Sequence, residues 1–500
     1  MSDLTRRGFV GGVVGSGAAL WAARQGMAAT GRDDIYREIE RRHAESIDRL
    51  REWIHQPSIA AENLGMEEGC ALMAKLATDA GFQQAQRIAT KGHPGVFATL
   101  DAGARHTLGL YFMYDVKQVD ATEWKTPPWD GLVVDEPGLG KILRGRGAVN
   151  QKGPQAAFLA ALHAIRGAGH KLPVNLVLVA EGEEEIGSPN FPEIVLAPGP
   201  RHALGRSLGI FMPDASQDLD GSVTVELGSK GDVELDIVAS GEKWGRGSMR
   251  DLHSSLAARV DAPAWHLVQG LNTLVTPNGD PAVDGFFDLV RPVSDAERRM
   301  LDTYAQRTSE AVAKQTAGVQ RWARDANWRQ ALEDYVSRPT LTIEGLVGGY
   351  SGPGGKTIMP HRMTAKIDIR LVPDMTPEDT IAKVRSHLAK HGFGDLEITV
   401  NGGVNYTSST AHDAPLIEAQ LAVYRRLGVD PLLFPRSGGS WPGSVFTGPP
   451  LELAAGYFGL GYGDGAHAPN EFLVVESTNP KVGGMQELVR SYVDFLYEIA

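Results

Sequence analysis

Glu181-Gly-Glu-Glu-Glu185 places four carboxylates in five positions, followed directly by Ile-Gly-Ser188. An acidic run on a helix or loop is ordinarily a solvated face, but this one follows the apolar run Pro173–Ala180. Two adjacent carboxylates at a strand end can divide labour, one binding a cation and the other activating water. Asp214, after the apolar segment Ile210–Pro213, is a second strand-end acid. His467 stands among small residues in Gly465-Ala-His-Ala-Pro-Asn-Glu471, the setting of an accessible imidazole. Carboxylates and imidazole together suit general acid–base work or the holding of a hard divalent ion.

These residues must be positioned by a sheet. Thr107–Tyr114 (TLGLYFMY) and Pro173–Ala180 (PVNLVLVA) are nearly continuous apolar runs, read as strands buried on both faces. Between them Pro154 opens a helix with Phe158, Leu159, Leu162 and Ile165 at helical spacing, closed by Gly167. Strand, helix and strand in that order form a right-handed parallel unit, so the fold class is α/β with a doubly wound, mainly parallel sheet. Chemistry in such sheets gathers at the carboxyl ends of the strands, which puts Met113–Asp115, Glu181–Ser188 and Pro213-Asp214 on one rim. From about Ser222 the pattern changes to alternating strands, such as Ala365, Ile367, Ile369 and Leu371 against Lys366, Asp368 and Arg370. Thr376-Pro-Glu-Asp379 starts a helix. The expected division is a catalytic domain over 30–221 and 401–500 with an α+β lid inserted at 222–400.

Composition narrows the classes. The 500 residues are 42% hydrophobic and 22% charged, an ordinary globular balance. Lys+Arg 49 against Asp+Glu 61 gives −12, which argues against nucleic acid or an anionic membrane as partner. The single cysteine, Cys70, excludes an internal disulfide and any multi-cysteine metal site. Thr5-Arg6-Arg7, a short weakly apolar centre and Gly26-Met-Ala28 form a twin-arginine export signal over residues 1–28, so a periplasmic or secreted protein is expected. No other segment approaches the ~20 apolar residues of a membrane span.

Read together, the motifs carry a resemblance. Gly145-Arg-Gly-Ala148 with Lys152-Gly153, Glu181–Ser188, Asp251-Leu-His253-Ser, Lys356-Thr-Ile-Met-Pro360, Ile369-Arg370-Leu-Val-Pro373, Gly438-Gly-Ser-Trp-Pro442 and His467–Glu471 occur in order. The chain resembles the metallopeptidases that include carnosinase, aminoacylase, glutamate carboxypeptidase and succinyl-diaminopimelate desuccinylase, the carnosinase branch above all. The resemblance covers about residue 35 to the end. It implies a dinuclear zinc hydrolase domain and a lid through which a homodimer commonly forms. It further implies Glu184 as the base for the attacking water, Glu185 and His467 as ligands of one ion, and Asp214 as a ligand of the other. His253 would be the lid histidine at the oxyanion, Arg370 the grip on a substrate carboxylate, and Gly438, Gly439 and Ser440 the loop along the substrate backbone.

Two positions depart from that pattern. Met113 stands where the family's first metal histidine lies, ahead of Asp115, and Asn150 where the bridging aspartate lies. A thioether is a soft ligand unsuited to zinc. Two divalent ions about 3.5 Å apart repel by about 20 kcal/mol even at an effective dielectric of about 20, and a neutral amide offsets little of that. The expectation is therefore at most one zinc or other divalent ion, on Glu185, His467 and Asp214, with a metal-free site as the competing reading. In a metal-free site Asp115, Glu184, Glu185 and Asp214 would crowd one rim, and Glu184 or Glu185 would hold a proton. Asn150 relieves part of that crowding, and Asp115 loses the histidine it would orient. Three functions compete on this basis. One is an exported amide hydrolase acting on a dipeptide or N-acyl amino acid. The second is a metal-independent acid–base enzyme using Glu184 and His253 for hydrolysis, cyclisation, isomerisation or elimination. The third is a binding protein that has lost turnover.

Overall fold

The computed structural model describes residues 31–500; the export signal expected over residues 1–28 lies outside them. Its centre is a six-stranded sheet in the order Gln84–Ile88, Gly95–Leu100, Asn175–Glu181, Thr107–Met113, Ile210–Pro213, Ala455–Phe458. The first two strands run antiparallel and the last four are mutually parallel. Thr107–Met113 and Asn175–Glu181 are buried along nearly their whole length because helices cover both faces. One face packs the helices Asp33–Arg41, His43–Ile54, Met66–Ala80, Lys152–Gly167 and Met485–Glu498 into a single core. The other packs Phe191–Val195 and Pro198–Leu204 with Trp441 and Phe446. Both covers make the sheet doubly wound.

Register aligns the rim. Met113 pairs with Glu181, and the Tyr114 N–H continues the ladder to the Glu181 carbonyl at 2.9 Å. The strands therefore end level, and the chain leaves each of them on the same side of the sheet. Gly182 is obligatory at this exit: a Cβ there would lie 2.3 Å from the Tyr114 ring. A smaller antiparallel sheet (Leu132–Glu136, Gly140–Arg144, Phe472–Ser477, Gly463–Asp464) carries the segments that lead to Asn150 and His467.

The lid is an antiparallel sheet in the order Thr340–Val347, Arg362–Leu371, Gly231–Ser240, Glu397–Asn405. Helices Pro263–Thr273 and Pro377–Lys390 bury Leu267, Leu271, Val384 and Leu388 against Val233, Leu235, Ile367 and Ile369. Thr376 caps the second helix, accepting the Asp379 N–H at 3.2 Å. The hydrogen-bonded lid sheet spans 231–405, against the 222–400 expected from the pattern. The reason is local: Thr224–Glu226 pairs with Leu432–Phe434, and Val225 enters the larger core. Among the described residues no helix is long and apolar enough to cross a membrane.

Candidate active site

The acidic run splits by environment. Glu181 is buried, and its Oε1 accepts from Tyr111 Oη at 2.8 Å and Ser188 Oγ at 2.9 Å, while Oε2 has no partner. Burial, then Asp115, pushes its carboxyl well above the usual range. Glu183 accepts from the His93 N–H at 3.0 Å and Asn190 Nδ2 at 2.8 Å, which ties the loops behind the rim. Glu184 receives no hydrogen bond on its carboxylate from any described residue. Burial, then Glu185, Asp115 and Glu181, push its carboxyl well above the usual range.

Asp115 loses the histidine it would orient and gains the backbone instead. Its oxygens accept the Glu184 N–H at 3.3 Å and the Glu185 N–H at 2.9 Å. Burial, then the charge of Glu185, pushes its carboxyl up to about 8. Its role is to shape the turn that presents the two glutamates.

Glu185, His467 and Asn150 meet. His467 Nε2 lies 3.1 Å from Glu185 Oε2, and Asn150 Nδ2 lies 2.8 Å from Glu185 Oε1 and 3.0 Å from His467 Nε2. Lys117, which the sequence reading did not single out, joins them. Its Nζ donates to the Glu185 carbonyl and lies 3.3 Å from Glu185 Oε2. Asp214 does not join the group. Its Oδ2 accepts from Ser216 Oγ at 2.8 Å, and Glu185, His467 and Asp214 form no three-ligand cluster. Met113 is 1% exposed and packs with Tyr111, Val179 and Phe191 as a core residue.

These residues do not fit a pair of divalent ions. A bridge must accept from two metals, and Asn150 turns its amide donor toward the acid because an oxygen there would face another oxygen. Among the described residues Glu185 Oε2 and His467 Nε2 lie 3.1 Å apart, two ligands where zinc takes three or four from protein. The expected third, Asp214, is elsewhere. One other group among the described residues has ligand spacing, Asp284, His387 and His391 on the lid. His387 is already spent: its Nδ1 accepts the Asp284 N–H at 3.1 Å and its Nε2 faces the Thr273 carbonyl at 2.9 Å. Lys390 Nζ lies 2.6 Å from Asp284 Oδ2, so that cluster is a structural one.

Behind the site, Glu471 is wholly buried and accepts four hydrogen bonds. Arg146 Nη1 and the Gly147 N–H reach Oε2 at 2.8 Å each; the Val149 and Asn150 N–H groups reach Oε1 at 2.9 and 2.8 Å. This joins the motif Gly145–Lys152 to the motif His467–Glu471 and fixes the Asn150 backbone beside His467. Lys152 is also fully buried, donating to the carbonyls of Trp53 (3.2 Å) and Gln56 (2.8 Å); burial lowers its pKa to about 7.

On the lid, Arg370 and the Gly438–Ser440 loop come together. Arg370 Nη1 donates to Ser440 Oγ at 3.0 Å and its Nε to Asp368 at 3.0 Å, while Ser440 Oγ donates to the Lys230 carbonyl at 3.0 Å. The Gly438 N–H donates to Tyr335 Oη at 2.7 Å, and Gly439 accepts from Ser437 Oγ at 3.1 Å. Lys230 is buried beside Arg436 and Arg370; burial first, then those two charges, lower it to about 8. The clasp is cationic.

His253 is exposed on a two-residue strand, and its Nδ1 accepts the Ser255 N–H at 3.2 Å, with Ser255 Oγ at 2.8 Å. The neutral ring therefore carries its proton on Nε2, a donor suited to an oxyanion. Ser255 thus sets the tautomer of the neutral ring. Among the described residues His253 makes no contact with Glu184.

Residues 110–491 match the sequence profile of peptidase family M20/M25/M40. The chain belongs to that family. As an M20 peptidase-family member it is similar to the Cys-Gly metallodipeptidase of Schizosaccharomyces pombe, 26% identical over 468 residues, 89% of this chain and 95% of the relative. It is also similar to the Beta-Ala-His dipeptidase of Rattus norvegicus, 27% identical over 70% of this chain and 69% of that protein. An M20 family metallo-carboxypeptidase of Sulfolobus solfataricus superposes with a TM-score of 0.80 at 30% identity, over 91% of this chain and 100% of that one. Human carnosine dipeptidase 1 shares the fold, with a TM-score of 0.75 at 22% identity over 93% and 99% of the two chains. The M20 family places the chain among hydrolases of peptide bonds. A di-peptidase of Saccharomyces cerevisiae also shares its fold, with a TM-score of 0.75 at 22% identity over 93% of this chain and 98% of that one.

Proposed function

We propose that this M20-family protein hydrolyses the amide bond of a dipeptide or N-acyl amino acid with a free carboxylate, without a twin-ion centre. The cationic clasp carries the reading: Arg370, held between Asp368 and Ser440 with Lys230 nearby, keeps guanidinium N–H bonds beyond those two contacts that a substrate carboxylate can accept. Such a grip orients a small acid-bearing substrate so that its amide lies toward the rim. There Glu184 holds the proton a leaving amine needs and, once ionised, takes one from water. His253 Nε2–H is the donor for the developing oxyanion. It must reach the rim by lid closure or from a second copy of the chain. The lid's edge strand Thr340–Val347 exposes Ile343, Leu346 and Val347, an apolar edge suited to pairing with that copy.

Export is part of the proposal. Arg6-Arg7 and the small-residue exit at Ala28 would direct the folded enzyme to the periplasm or medium, and Arg6→Lys with Arg7→Lys should retain it in the cytoplasm on fractionation.

The test is a panel of dipeptides and N-acyl amino acids with release of the free amino acid as readout, before and after exhaustive chelation. Turnover retained on chelation supports the reading, and the absence of turnover on every amide removes it. A second reading rests on the carboxylates crowded at the rim, Asp115 bonded to the Glu184 and Glu185 N–H groups: an acid–base step without added water. Products isomeric with the substrate, seen by mass, would favour it over hydrolysis.

A further inference from the structure

Lys117 follows the end of strand Thr107–Met113 and turns back over the rim. Its Nζ donates to the backbone carbonyl of Glu185 and stands 3.3 Å from Oε2 of the same residue. That oxygen belongs to a side chain only 4% exposed, and it receives no aligned hydrogen bond. His467 Nε2 lies 3.1 Å from it. An anionic oxygen, an imidazole nitrogen and an ammonium thus converge where an ion ligated by Glu185 and His467 would sit. The ammonium has two anchors on one residue, and its side chain is 32% exposed, so it is held at the mouth of the pocket with one side open to the cleft.

Charge and space point the same way. A zinc ion on Glu185 Oε2 would sit about 2.0–2.2 Å from an oxygen that already has the Lys117 ammonium at 3.3 Å. It would also add two positive charges beside a fixed one, and Asn150 contributes no compensating negative charge. With Lys117 in place, Glu185 is already neutralised by a cation that keeps N–H bonds to spare.

We propose that Lys117 is a built-in cation standing in for the metal ion of the Glu185–His467 half-site: it excludes the ion and presents an ammonium to the substrate carbonyl oxygen. The second half of that statement rests on the amide-hydrolase reading; the first does not. The probe is zinc alone, titrated against a chromogenic chelator with the full chain. Lys117→Met and Lys117→Gln should both bind zinc about a hundredfold more tightly than the parent, the scale set by removing a unit charge within 4 Å of a dication. Lys117→Arg, which keeps the charge, should bind no better than the parent, and adding Glu185→Gln to Lys117→Gln should abolish the gain. Equal zinc affinity in the parent and both neutral variants would overturn the proposal, as would an equal gain in Lys117→Arg. For the carbonyl contact, zinc-free Lys117→Gln should lose turnover that Lys117→Arg partly recovers. Failure to turn over any amide would remove the functional reading while leaving the zinc result to stand on its own.

Discussion

The two halves of the family's metal place have diverged in different ways. Around Glu185 the acid, the imidazole and Asn150 lie within 2.8–3.1 Å of one another, and an ammonium completes the set. Around Asp214 the carboxylate accepts from Ser216 Oγ and the backbone carbonyl from Tyr492 Oη, while Met113 lies in the apolar core. In the first half Glu185 Oε2 lies beside His467 and Lys117 without an aligned hydrogen bond, whereas in the second Asp214 is held by Ser216 and Met113 lies in the core. The contrast teaches that losing a ligand matters less than what occupies its place. A donor amide and a lysine preserve a charged, ordered pocket, whereas a thioether leaves only packing.

The comparison can be broken most forcefully at its centre. Glu184→Gln should lower kcat by about a thousandfold, the scale of a lost proton-transfer group, without lowering the melting temperature. Retained turnover in the steady-state assay would move the chemistry off the rim. Next, Asn150→Asp should strengthen zinc binding by about a hundredfold, because it supplies a carboxylate beside Glu185 and His467. Asp214→Asn should change it less than about threefold, since that acid stands outside the working half. Calorimetric titration of the two variants reads the difference between the halves directly.

A smaller effect sharpens the contrast between rim and clasp. Arg370→Ala should raise KM by about ten- to a hundredfold, as expected for a charge-assisted hydrogen bond to a carboxylate, with kcat changed far less. The smallest prediction concerns Glu226, at the junction of lid and sheet. Burial, then Asp214, pushes its carboxyl from 4.5 to about 7. The folded protein keeps this proton over a range where the unfolded chain has released it, so stability falls as pH rises from about 4.5 to about 7. Glu226→Gln should flatten that part of the stability–pH curve in denaturant titrations at several pH values.

Much of the fold was legible because its signals are local and strong. Two long apolar strands bracketing an amphipathic helix admit few arrangements, and the level strand ends follow from parallel pairing. The meeting of Glu185 with His467 at the rim was legible because strand ends lie on one edge of a parallel sheet. Other features depend on partners far apart in the chain. Nothing near Glu471 marks it as the acceptor of four hydrogen bonds from residues 146–150, and nothing near Glu181 marks it as bonded to Tyr111. Lys117 left one available sign, a lone cation two residues beyond a rim aspartate, but its meaning appears only when Glu185 arrives from the neighbouring strand. Asp214, expected as a ligand from its place at a strand end, accepts a hydrogen bond from Ser216, a partner that the sequence places two residues away.

The account stands on the claim that an amide, a thioether and an ammonium have replaced the twin-ion centre. Anomalous diffraction at the zinc edge, from crystals of the unaltered protein soaked in zinc, tests this most directly. The account predicts no pair of peaks beside Asn150 and Met113. Two fully occupied peaks about 3.5 Å apart, bridged by the Asn150 side chain, would contradict it.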